Sequence, residues 1–117
     1  MLEKSCKEIA NNLQSKYGAP LDWTMILELI MQIIDDCFNN EQDFINAAKT
    51  PTFLQRAVFG VQARRACRDN GIRTRYASNL RDEVFDYCSG CVDDELSAIY
   101  TTSKVAFYES GFEGVSA

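Results

Sequence analysis

Between Trp23 and Phe38 the chain carries an apolar run that dictates how everything else must pack. At about 100° per residue, Ile26, Leu27, Leu29, Ile30, Ile33, Ile34 and Cys37 cover well over half of a helix's circumference. Thr24, Glu28, Gln32 and Asp35 are left on a thin polar strip. A helix that apolar belongs at the centre of a bundle or in a subunit contact. It is no membrane span, because charges interrupt it and it falls short of the roughly 20 residues a bilayer requires. Asp22 stands ready as its N-cap, and Asn39-Asn40 ends it.

Helical spacing surrounds this segment on both sides. Leu2, Cys6, Ile9, Leu13 and Tyr17 recur every three or four residues, with Gly18 at the C-cap position and Pro20 blocking continuation. A short helix over Glu41 to Lys49 turns Phe44, Ala47 and Ala48 inward. Thr50-Pro51 reads as an N-cap followed by proline at the first helical position. The fourth helix then runs to about Asp69, where Asn70-Gly71 supplies a left-handed stop. A fifth begins at a Ser78 or Asn79 cap. Its apolar arc (Leu80, Val84, Tyr87, Cys88, Cys91, Val92, Ile99) continues through Ser89-Gly90, which predicts one long helix to at least Tyr100 and as far as Glu109.

No alternating strand pattern or internal repeat interrupts this. The expectation is an all-α fold: a single compact bundle of about five helices, with orthogonal or irregular packing, over residues 1–110. A flexible tail is expected at 111–117. The hydrophobic fraction of 46% supplies a core and excludes intrinsic disorder.

Several chemistries drop out. Histidine is absent, which removes the commonest general acid–base, the Ser–His and Cys–His nucleophile pairs, and mixed Cys/His zinc sites. No phosphate-binding glycine loop or nucleophile elbow is present, the glycines at 18, 60, 71, 90, 111 and 114 being isolated. The acidic groups Asp35-Asp36 and Asp93-Asp94-Glu95 diverge around their helices and read as solvated faces. No catalytic residue is assigned, and neither a cofactor nor a metal is expected.

Five cysteines, an odd number, follow a start that lacks the basic and apolar regions of a secretory signal. Free thiols and a cytoplasmic location are therefore expected. Cys88-Ser89-Gly90-Cys91 has redox spacing, but no strand precedes it and acidic neighbours disfavour a thiolate. Both sulfurs are expected on the buried face as small hydrophobes. A thiol or metal protein centred on Cys88 and Cys91 is the weakest functional reading, since Cys6, Cys37 and Cys67 lie singly elsewhere.

The anomaly is the placement of arginine. All seven fall between positions 56 and 81, so residues 1–49, 50–81 and 82–117 carry net charges of −4, +6 and −7. On the fourth helix Phe53, Leu54, Ala57, Val58 and Val61 form one stripe, expected to be core. Continued C-terminally, that stripe lands on Arg64, Arg65 and Arg68. Local rules broken in this way tend to mark function or strain.

Internal pairing with Asp35, Asp36, Asp82, Glu83 and Asp86 is one outlet for these cations, worth only about 0–1 kcal/mol per exposed pair. The alternative is an outside partner. The sequence thus points to a non-catalytic intracellular interaction or assembly module. Arg64, Arg65, Arg68, Arg73 and Arg75 would engage an acidic protein partner or another copy of the chain, with no membrane involved. The same arginines could contact nucleic-acid phosphates. However, the helix-turn-helix that can be drawn across Cys67 to Leu80 is degenerate, and a pI near 4.6 opposes a DNA footprint.

Overall fold

The computed structural model describes residues 2–109. Within them the chain forms six α-helices and one 3-10 turn, with no strand: α1 (Leu2–Tyr17), α2 (Trp23–Cys37), α3 (Glu41–Lys49), α4 (Phe53–Asp69), the turn Thr74–Tyr76, α5 (Ala77–Ser89) and α6 (Asp93–Glu109). The tail expected at 111–117 lies outside the described residues. A radius of gyration of 13.1 Å is that of one closely packed domain of this size. No helix among the described residues is long and apolar enough to cross a membrane.

The apolar α2 is the axis of the molecule, packed against α1, α4 and α6, while α5 closes the far side against α1, α3 and α4. Ile26, Leu29, Ile33 and Ile34 of α2 are buried with Leu13 of α1, Leu80 of α5 and Leu96 of α6. Aromatic edges fill one end of this core. Phe38 meets Phe44 at 5.3 Å between centroids, and Phe59 meets Phe85 at 5.0 Å.

The helix ends follow local chemistry. Asp22 caps α2 by accepting from the Met25 N–H at 3.0 Å, and Asn40 caps α3 through the Asp43 N–H at 2.9 Å. At the end of α4, Gly71 takes φ +71°. The Gly71 N–H then donates to the Arg68 carbonyl and the Ile72 N–H to that of Cys67. This paired closure needs a left-handed residue that only glycine adopts without penalty.

Three expectations about these elements change. Thr50 caps the end of α3, donating from its N–H and its hydroxyl to the Asn46 carbonyl. It is Thr52 that starts α4, in a capping box in which Thr52 Oγ1 accepts from Gln55 N–H and Gln55 Oε1 accepts from Thr52 N–H. Both orphan donors are met reciprocally there, an arrangement Thr50 could not make, because Phe53 would stand three residues on. Ser78 and Asn79 sit inside α5, because the 3-10 turn feeds directly into it and the Thr74 carbonyl takes the Ala77 N–H.

The long fifth helix is two helices. Gly90 caps α5, tight bonds from Gly90 and Cys91 N–H to Tyr87 and Cys88 carbonyls turn the chain, and Val92 is exposed. A new start follows. Glu95 Oε1 accepts from the Val92 N–H at 3.0 Å, and Asp93, Asp94 and Glu95 place negative charge on the first turn of α6, where the helix dipole favours it. That signature competes with an apolar arc continuous at 100° per residue, and it wins because Gly90 weakens the helix where the new one can begin.

Candidate functional site

Helix α4 sets its geometry by what it buries. Its inward stripe is Phe59, Gly60, Ala63, Ala66 and Cys67, small side chains apart from Phe59, which let its backbone approach α2 and α5. The stripe expected as core faces out instead. Phe53 is 89% exposed, Leu54 69%, Val58 43% and Val61 60%. Small residues carry little hydrophobic signal, so a reading weighted by side-chain size selects the wrong face. The outward stripe does run into Arg64, Arg65 and Arg68, and all three are exposed.

The acidic residues offered as internal partners divide: Asp82 pairs with two of the seven arginines, while Glu83 and Asp35 take lysines. Asp82 takes Arg56 at 3.1 Å and Arg81 at 2.9 Å. The buried Glu83 receives Lys16 at 3.0 Å, tying α1 to α5. Asp35 receives Lys104 at 2.7 Å, tying α2 to α6. Among the described residues, Arg64, Arg65, Arg68, Arg73 and Arg75 have no carboxylate within 4.0 Å. Arg65 is the nearest to an internal role. The Asp36 carboxyl is held above its ordinary range by desolvation and the charge of Asp35, and Arg65 offsets part of that.

The structure separates the five arginines as well as gathering them. Arg64 and Arg75 line one open groove of about 370 Å³ between α4 and the start of α5, where Arg81 joins them. Arg75 lies over the Tyr76 ring at 5.0 Å. Arg65 acts through its charge on the Asp36 carboxyl of α2. Arg73 lines a different groove, with Pro20, Met25 and Tyr76. Arg81 was visible in the sequence only as one of a cluster; its approach to Gly60 is a tertiary fact with no local signal.

The cysteines divide. Cys88 is buried in the core, and desolvation pushes its thiol up to about 12. Cys91, only partly buried, donates to the Tyr87 carbonyl at 3.5 Å. Burial raises its thiol too, with Glu95 and Glu8 adding to the effect. Such thiols are poor nucleophiles. Among the described residues no group of three or more Cys, Asp or Glu side chains is placed to hold a metal ion.

The aromatic end of the core leaves a half-open apolar cleft of about 10 Å³, at the limit of what one water needs. The larger grooves are open to the surface. Compared with protein-family models, curated proteins and solved structures, the chain matches none of them.

Proposed function

We propose that this chain is a non-catalytic interaction module whose α4 outer face docks an acidic, amphipathic helical segment of a partner protein. One observation carries the reading: exposed Phe53, Leu54, Val58 and Val61 run in line into Arg64, Arg65 and Arg68, cations without a carboxylate partner among the described residues. Aligned exposed apolar side chains are costly to leave in water and mark contact surfaces. Arginine beside them provides charge-assisted, bidentate hydrogen bonds to carboxylates. The two together fit a helix with apolar residues at one end of its contact face and acidic residues at the other.

The test uses two synthetic amphipathic helical peptides, one with Glu and one with Lys beside the apolar face, titrated while the α4 amide signals are followed by NMR. The Glu peptide is expected to give saturable shifts centred on residues 53–68, weakened by salt and lost in Phe53→Ser and in Arg64→Glu/Arg65→Glu. Equal binding of both peptides, or shifts elsewhere, overturns the reading. Light scattering across a salt series identifies the partner as a second copy if the mass of two chains falls to that of one. Retention on duplex DNA with a steep salt dependence transfers the same arginines to nucleic acid instead.

A further inference from the structure

The groove between α4 and α5 is built from donors. Arg64 comes from α4, Thr74 and Arg75 from the 3-10 turn, and Ser78 and Arg81 from α5, over a floor of Ala57, Gly60 and Val61. Among the described residues, no carboxylate lines it. The adjacent Asp82 is already shared between Arg56 Nη2 and Arg81 Nε. Among the described residues, the Arg64 guanidinium and the Thr74 and Ser78 hydroxyls have no hydrogen-bond partner.

Arg81 is held in place rather than merely nearby. Its Nε is fixed on Asp82 at 2.9 Å, and it lies against α4 where Gly60 has no side chain. A Cβ at position 60 would stand 3.1 Å from Arg81 Nη1 and 3.5 Å from its Cδ. Glycine inside a helix is unfavourable relative to alanine, and here its missing methyl makes room for a guanidinium.

We propose that this groove is a binding site for a phosphomonoester dianion. Arg64, Arg75 and Arg81 line one open volume, and a guanidinium carries forked donors with no acceptor to compete. A carboxylate is satisfied by one bidentate arginine. A phosphoryl group brings up to two negative charges and three acceptor oxygens, which matches three arginines and two hydroxyls. The site shares Val61 and Arg64 with the proposed docking face but does not rest on that reading, because Phe53, Leu54 and Val58 take no part in it.

The test is an NMR titration with sodium phosphate against sodium chloride of matched ionic strength. Saturable shifts at Gly60, Thr74, Arg75 and Ser78, beyond those from chloride, are expected. Gly60→Ala pushes the Arg81 guanidinium aside while favouring the helix, so phosphate affinity falls several-fold with Tm unchanged or raised. Arg75→Gln lowers affinity without touching that contact, and Phe53→Ser leaves it intact. Shifts that follow ionic strength alone, or undiminished affinity in both Gly60→Ala and Arg75→Gln, overturn the proposal. A phosphoserine peptide binding more tightly than free phosphoserine assigns the dianion to a phosphorylated protein. Equal binding assigns it to a free phosphorylated metabolite. Displacement of phosphate by unphosphorylated duplex DNA, with shifts spreading to Arg65, Arg68 and Arg73, overturns the monoester assignment.

Discussion

Two phenylalanines on one helix, six residues apart, should respond in opposite ways to the same truncation. Phe59 is 2% exposed, packed edge-on against Phe85 at 5.0 Å and bordering the small cleft shared with Phe38, Phe44 and Val84. Phe59→Ala removes that burial and leaves a cavity the tightly packed neighbours cannot fill, for a loss of about 3–5 kcal/mol. At about 4 °C per kcal/mol for a domain of this size, Tm falls by roughly 12–20 °C. Phe53, 89% exposed, gives up almost nothing in the isolated chain. Phe53→Ala should change stability by no more than about 0.5 kcal/mol, or roughly 2 °C. Urea and thermal unfolding followed by circular dichroism at the helix band measure both variants against the parent chain. Equal losses, or a loss above about 2 kcal/mol for Phe53→Ala, would mean that α4 presents its other face to the core, and the docking surface would go with it.

Gly71→Ala forces a side chain into φ +71° and should cost about 1–2 kcal/mol, read by urea unfolding; no measurable change would show that the turn after α4 relaxes freely. Asp36→Asn should raise Tm slightly at neutral pH. The folded-state carboxyl of Asp36 titrates above its ordinary value, so ionising it opposes folding as pH rises through that range. The advantage should shrink as pH falls toward about 3.9, the ordinary Asp value, and a benefit that grows on acidification would contradict the sign. Native alkylation with peptide mapping should label Cys91 before Cys6, Cys67 and Cys88, because those three are buried and Cys91 is only partly so. Fast labelling of Cys88 would place it outside the core.

The sequence carried the fold's framework because its strongest signals are local. The girth of α2, Asp22 as its cap, the bounds of α3 and the Asn70-Gly71 stop all rest on residues within a turn or two of one another. Two errors have separate causes. The break at Gly90 was hidden because the apolar arc keeps its phase across it, although Asp93-Asp94-Glu95 marked a helix start. The inward face of α4 was hidden because alanine, glycine and cysteine speak softly beside Phe53 and Val61, yet small side chains are what a close helix contact selects. The arginine surplus was legible as charge. Which arginines converge was not, since Arg64, Arg75 and Arg81 meet only once α4 and α5 are laid side by side.

The small-residue seam of α4 also sets how this molecule is free to diverge. On the inner side almost any enlargement prises α4 from α2 and α5, so substitutions there are confined to residues of alanine's bulk. On the outer side, the side chains at 53, 54, 58 and 61 are exposed, and exchanging them should disturb the bundle little. A helix with one immobile side and one permissive side lets recognition be rewritten while the scaffold stays put.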